Sequence, residues 1–178
     1  MIGDKIRERR LQMGMNLKEL AERTNLTPGF LSQIERDISE PSITSLRKIA
    51  EALEVAVFYF LLDETKKSPV VKKNQRQQLK FSNSHVTYEL LSPDLNRQME
   101  MFIGQLEPGA MTCEEPLTHP GEEINHVLKG KMWIIIGEDE YVLEEGDTIY
   151  YFASLPHKIV SIGEEDLIFV STITPPRF

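Results

Sequence analysis

Leu17-Lys18-Glu19-Leu20-Ala21-Glu22-Arg23-Thr24-Asn25-Leu26-Thr27-Pro28-Gly29-Phe30-Leu31-Ser32-Gln33-Ile34-Glu35-Arg36 decides how this 178-residue chain reads. Leu17, Leu20 and Ala21 space as one apolar helix face and Leu31 and Ile34 as another, with a four-residue corner between the two segments. Thr27 suits a helix cap, because its side chain can accept from the second or third helical N–H. Pro28 suits the first helical position, where its missing N–H would have had no partner. Two short helices joined by such a corner form a helix-turn-helix, a unit with few uses other than reading duplex DNA.

The second helix of the pair would expose Pro28, Gly29, Ser32 and Gln33 on the face opposite Leu31 and Ile34. A helix N-terminus with small polar side chains approaches base edges closely in the major groove. Gln33 is the best base reader here, since its amide can pair bidentately with adenine. Working outward, Ile2, Ile6 and Met13 give an earlier helical face. Leu46, Ile49, Ala50 and Leu53 give a later one, after Pro41 and the cap candidates Ser42, Thr44 and Ser45. Val57, Phe58 and Leu61 predict a short fifth helix.

Ile6-Arg7-x-x-Arg10, Leu17-x-x-Leu20-Ala21, Leu31-Ser32-x-Ile34-Glu35-Arg36, Pro41-Ser42 and Leu46-x-x-Ile49-Ala50 together resemble the XRE (lambda-repressor-type) helix-turn-helix family over residues 6–60. The resemblance implies an all-α five-helix bundle with Thr27, Gly29, Ser32, Gln33 and Arg36 at the DNA, and Pro28 joins them at the helix start. It also implies an internal ion pair between Arg10 and Glu35 that ties the first helix to the third. A helical bundle used for protein contacts is the competing reading. Arg7, Lys18 and Lys48 are candidates for phosphate contacts or for a solvated face. One such unit makes few contacts, so a homodimer on a palindromic operator is expected, with half-sites a helical turn apart.

The net charge of −8 looks wrong for a DNA binder until it is divided along the chain. Residues 1–62 carry nine Lys/Arg and nine Asp/Glu, residues 63–80 carry six and two, and residues 81–178 carry five and seventeen. The acidic second half should repel phosphate and serve a different partner. Cys113 is the single cysteine, which rules out an intramolecular disulfide and suits a reducing cytoplasm. A secretory leader and a membrane span are not expected, because no apolar run approaches the roughly 18 residues that a spanning helix needs.

The periodicity changes along with the charge. Residues 1–64 read as the helical domain, the polar and basic residues 65–80 as a linker, and residues 81–178 as short strands. Strands are expected at 86–91, 98–106, 124–128, 131–136, 141–143, 148–152, 158–161 and 167–174. Without intervening helices they argue for an antiparallel sandwich or barrel. Met132, Ile134 and Ile136 alternate with Trp133 and Ile135, so one strand is apolar on both faces, and a second subunit is one candidate cover.

His119-Pro120-Gly121-Glu122-Glu123 with Gly130, then Glu145-Gly146-Asp147 and Pro156-His157, resemble the two motifs of the cupin superfamily, an all-β jelly-roll barrel. The resemblance places His119, Glu123 and His157 at metal-ligand positions, where Fe(II), Mn, Ni or Zn would suit the donor set. Leu117 stands where the family has a further histidine and Ser161 where it has an asparagine. The three residues therefore read either as a metal site or as the polar lining of a pocket that needs no metal. Glu114, Glu115 and Glu123 cluster near the expected mouth, which favours a cationic effector such as an amine, though Glu114 and Glu115 also suit a solvated loop. Met99, Met101 and Met111 are candidates for a pliable pocket wall or for ordinary core. His126 has the opposite strand parity to Glu123 and is expected outside the pocket.

In this order, the two halves resemble XRE-family regulators with a C-terminal cupin domain. Val170-Ser171-x-x-Thr174-Pro175 and Phe178 are similar to the polyamine-responsive (putrescine-utilisation) repressors within that group. The function implied is a cytoplasmic, ligand-responsive repressor rather than an enzyme, with Glu115, His119, Glu123 and His157 at the effector pocket. The alternative is a cupin metalloenzyme of dioxygenase or isomerase type carrying a DNA-binding module. An antitoxin-like partner protein comes last.

Overall fold

The computed structural model describes residues 2–61, 68–80, 84–95 and 97–177. The chain divides between residues 62 and 63 into two compact units.

The first unit holds α1 (Ile2–Gln12), α2 (Leu17–Thr24), α3 (Pro28–Glu35) and α4 (Ile43–Ala52). Side-chain caps fix three of the starts. Asn16 accepts from Lys18 N and Glu19 N while Glu19 returns a bond to Asn16 N, a reciprocal capping box. Thr27 accepts from Phe30 N, with Pro28 at the start of α3. Ser42, rather than Thr44 or Ser45, caps α4. Ile6, Leu20, Leu31, Ile34, Leu46, Ile49, Leu53 and Phe58 are fully buried or within 1% of it, so the predicted apolar faces are the faces that pack. Helix α1 approaches α3 closely: a Cβ on Gly3 would lie 2.2 Å from the Ile34 carbonyl oxygen. The expected fifth helix is a correction. Val57–Phe60 is a single 3₁₀ turn, because four residues rich in β-branched and aromatic side chains close the bundle by packing rather than by helix propagation.

The second unit is all β. Its strands are β1 (Gln78–Leu79), β2 (Val86–Leu90), β3 (Glu100–Leu106), β4 (Glu122–Lys129), β5 (Met132–Ile136), β6 (Asp139–Leu143), β7 (Thr148–Phe152), β8 (His157–Ser161) and β9 (Leu167–Thr174). They form a six-stranded sheet ordered β1-β2-β3-β9-β4-β7 and a three-stranded sheet ordered β6-β5-β8. All pairings are antiparallel. Inward positions alternate along each strand, as in β9, where Leu167, Phe169, Ser171 and Ile173 are buried. Gly104 on β3 faces Phe169 across the register, and a Cβ there would lie 2.4 Å from the ring. The missing side chain is what lets that ring lie across the strand.

The expected linker needs a second correction. Gln78 and Leu79 pair with Glu89 and Tyr88 as β1, and Leu79 is buried. Residues 65–67 of that linker, and the terminal Phe178, lie outside the described residues. No helix among the described residues is long and apolar enough to cross a membrane.

Candidate nucleic-acid interface and candidate metal centre

Helix α3 presents its first turn outward. Thr27, Pro28, Gly29, Gln33 and Arg36 are exposed and Ser32 is half-buried, while Leu31, Ile34 and Glu35 face the core. Nothing lies within 4 Å of a Cβ built on Gly29, so the helix start is open to a close approach. Arg36 Nε donates to the Ser32 carbonyl at 3.0 Å, which lays the guanidinium along the helix. Ser39 Oγ donates to Gln33 Oε1 at 3.0 Å, and the Gln33 carbonyl accepts from Ile38 N at 2.9 Å. Arg7, Lys18 and Lys48 are all exposed, which both readings of them allow.

Behind this surface sits the ion pair. Arg10 Nε and Nη2 donate to the two Glu35 carboxylate oxygens at 2.6 and 2.8 Å, and Nη1 donates to the Met15 carbonyl at 2.7 Å. Both residues are buried, and the hydrogen bond to Glu35 raises the Arg10 pKa against the opposing cost of burial. A bidentate fork of this kind fixes orientation as well as distance.

In the β unit, Glu123 on β4 and His157 on β8 come from opposite sheets, and His119 precedes β4. His119 Nε2 lies 3.2 Å and His157 Nε2 3.6 Å from Glu123 Oε2, and the three ligand atoms all lie within 4.8 Å of one another. The histidine rings meet edge to face with centroids 5.1 Å apart. Each ring turns Nδ1 to a main-chain carbonyl: His119 to Pro120 at 3.2 Å and His157 to Leu155 at 2.9 Å. Glu123 Oε1 accepts from Asn125 Nδ2 at 3.0 Å and Ser171 Oγ at 2.9 Å, which leaves Oε2 to the histidines. Burial pushes the Glu123 carboxyl up. The hydrogen bond from His119, the charges of His157 and His119 and the bond from Asn125 outweigh it and hold the group below its ordinary value.

With both Nδ1 atoms donating to carbonyls, the two Nε2 atoms and Oε2 are three acceptors turned on one point. They require a cation there, either a proton or a metal ion. Carbonyl-anchored imidazoles and a hydrogen-bonded carboxylate are also how metal ligands are commonly oriented. Ligands about 2.1 Å from a common ion lie roughly 3.0–3.4 Å apart, whereas acceptors about 2.8 Å from one ammonium nitrogen lie roughly 4.6 Å apart. The 3.2 and 3.6 Å separations suit a shared ion, and 3.2 Å equally suits a proton shared between His119 and Glu123.

Leu117, where the family has a further histidine, exchanges both main-chain hydrogen bonds with His157, so an apolar residue stands beside the ligand strand. Glu115 does not join the cluster: it is exposed in a bend that turns it to solvent. Glu114 is exposed too, and its carbonyl accepts from Lys158 Nζ. Met99, Met101 and Met111 are 61%, 40% and 41% exposed. His126 points outward as its parity required, with Nδ1 2.8 Å from Thr148 Oγ1.

Two family models match the chain along its length. The helix-turn-helix model HTH_3 matches residues 6–60 and the cupin domain model Cupin_2 matches residues 102–173. The chain is 28% identical over 178 residues to the HTH-type transcriptional regulator PuuR of Escherichia coli (strain K12), covering 99% of this chain and 96% of that one. It is 29% identical over 174 residues to the HTH-type transcriptional regulator SutR of the same strain, covering 97% and 93%. This chain joins an XRE-type helix-turn-helix domain to a cupin domain, the layout of a DNA-binding regulator. The crystal structure of an HTH_3 family transcriptional regulator from Vibrio cholerae superposes on the regulator with a TM-score of 0.77 at 25% identity, covering 99% of this chain and 96% of that one.

Three polar residues of the regulator's barrel escaped the sequence reading. Asn125 and Ser171 are fully buried and hold Glu123, and the Tyr151 ring lies 5.2 Å from that of His157. Asn125 Nδ2 also reaches Tyr151 Oη at 3.1 Å. Burial and the Glu123 charge push the Tyr151 hydroxyl pKa up, so it stays a neutral hydroxyl. Asn125 Oδ1 and Ser161 Oγ are buried without a hydrogen-bond partner among the described residues. The available signal was strand parity: Asn125 and Val127 share the inward face of β4 with Glu123.

Proposed function

We propose that the regulator is a cytoplasmic repressor that binds a palindromic operator as a homodimer, and that a small-molecule effector entering the cupin barrel changes that affinity. Thr27, Pro28, Gly29, Ser32, Gln33 and Arg36 are the residues assigned to DNA. The observation that carries the reading is the open, Thr27-capped start of α3 with Gln33 exposed on it, backed by a buried ion pair that fixes the helix. Acidic surface elsewhere in the chain keeps the β unit away from phosphate.

His119, Glu123 and His157 are the core of the effector pocket. Charge draws cations, an amine among them, to this half. The convergence of three ligand atoms within 4.8 Å of one another supports a divalent metal ion at its centre, held by those three residues. Such an ion would supply Lewis acidity and open coordination positions. Asn125 and Ser171 hold the carboxylate that would bind it, Tyr151 offers a neutral hydroxyl nearby, and the two carbonyls orient the imidazoles. An effector acts only if it binds the DNA-competent and incompetent states differently.

In vitro transcription from the regulator's own upstream region tests this reading. Added protein is expected to lower the transcript, and an effector that stabilises the fold is expected to restore it. Unchanged transcription at saturating protein would overturn repression. The second reading, a cupin metalloenzyme with a DNA-binding module, draws on the same three ligands. Metal-dependent turnover abolished by His157→Ala would establish it.

A further inference from the structure

The outer side of the larger sheet is apolar. Ile124 and Leu128 on β4 point away from the barrel, as do Tyr150 and Phe152 on the edge strand β7. The register sets Tyr150 beside Ile124, Ile124 beside Thr172 and Thr172 beside Met101, so one row crosses four adjacent strands. Phe152 is 60% exposed, Tyr150 56%, Leu128 43%, Met101 40% and Ile124 39%. Half-exposed aromatic side chains leave roughly 100 Å² of each ring open. With the aliphatic residues the patch reaches the few-hundred-Å² scale at which exposed apolar surface marks an interaction site.

Charge decides what can sit there. Two copies of a half this acidic repel one another over most of their surface, yet the acids on this face are already engaged. Glu122 accepts from the Tyr150 hydroxyl, and Glu89 is paired with Arg76. The strand that the sequence singled out for a subunit contact, β5, is a weaker candidate. Its outward Trp133 and Ile135 are already half-buried within the chain, and Lys131 and Lys158 flank them. A single recognition helix per chain also calls for a two-fold partner. A standard interface buries about 800 Å² per partner with an apolar centre and polar rim, and the Tyr150–Ile124 row rimmed by Glu122 and His126 has that layout.

We propose that a second copy of this chain docks on the outer face of β4 and β7, centred on Ile124, Tyr150 and Phe152, in an isologous dimer. The inference rests on the homodimer proposed above. An isologous contact sets each patch against itself, so a carboxylate placed at its centre meets its own copy.

Sedimentation equilibrium of the full chain tests the face. Wild type is expected at twice the 20.5 kDa chain mass. Tyr150→Glu and Phe152→Glu are each expected to weaken dimerisation roughly thirtyfold or more, as loss of a central anchor does. Val142→Glu, on the exposed β6 of the other sheet, is expected to stay dimeric. Phe152→Ala is the milder variant, weakening the dimer while far-UV circular dichroism stays that of wild type. A wild-type monomer overturns the dimer and its face together. A wild-type dimer that survives Tyr150→Glu and Phe152→Glu, or that only Val142→Glu dissociates, overturns the face and leaves the DNA-reading dimer standing.

Discussion

Ser39 positions Gln33. Its hydroxyl donates to Gln33 Oε1 at 3.0 Å from the loop that follows α3, and the same loop returns Ile38 N to the Gln33 carbonyl. The bond occupies one lone pair of the amide oxygen and settles which way the amide faces, leaving a second lone pair and the NH₂ for a base. Gln33→Ala is expected to cost about 1–3 kcal/mol at one base pair of each half-site and to relax the preference there. Ser39→Ala is expected to weaken binding by only about two- to tenfold, the worth of one hydrogen bond, with the loss confined to that base pair. Ser39→Thr should retain it. Binding titrations against a panel of operators varied one base pair at a time read both effects.

The buried fork between Arg10 and Glu35 sets a larger stability cost. Arg10→Met strands a carboxylate in the core, and removal of one partner of such a pair costs about 3–5 kcal/mol. Replacing both, Arg10→Met with Glu35→Leu, is expected to recover most of it, since an apolar pair of similar volume avoids desolvation altogether. Urea unfolding followed by far-UV circular dichroism measures the difference. A single variant as destabilised as the double would contradict the assignment.

The Phe169 ring lies where a side chain at position 104 would be. Gly104→Ala is therefore an overpacking change, expected to cost about 1–3 kcal/mol. Adding Phe169→Leu to it should recover part of that loss, which thermal unfolding of the single and double variants would register.

The His119, Glu123 and His157 cluster should respond to divalent metal. Chelator-stripped protein is expected to gain about 2.7 kcal/mol when a metal reaches a hundred times its dissociation constant. The corresponding rise in melting temperature should vanish in His157→Ala. Ser171→Ala, which removes one hydrogen bond to Glu123 Oε1, should weaken metal affinity by roughly 10–100-fold without abolishing it. A melting temperature indifferent to every divalent metal would leave the site as an organic pocket.

What could be read in advance followed from periodicity and capping. Thr27 and Pro28 announced the start of α3, and the i, i+3, i+4 faces were the faces that packed. Most strands stood out as short runs between turn residues, although β5 is apolar on both faces and the five-residue β6 was expected only at 141–143. Strand β1 did not, because two residues at the end of a basic run carry no period and Leu79 is their only apolar member. Val57–Phe60 has apolar spacing that a 3₁₀ turn and an α-helix share, so only packing distinguishes them. In the barrel, the resemblance to the cupin motifs pointed to His119, Glu123 and His157, but Asn125, Tyr151 and Ser171 converge on Glu123 from β4, β7 and β9. That convergence depends on strand register, which no local pattern encodes. Glu115 is exposed and stands outside the His119, Glu123 and His157 cluster, and the three methionines are exposed too.

Fluorescence anisotropy of a labelled fragment from the regulator's own upstream region, with unrelated DNA as competitor, is the most direct test of DNA reading. Binding should survive the competitor and fall steeply as salt rises, because each neutralised phosphate releases counterions. Gln33→Ala should narrow the gap in affinity between the fragment and the competitor. Equal affinity of the wild-type protein for the two DNAs, or no binding at low salt, would contradict the reading of α3 as a sequence-specific recognition helix.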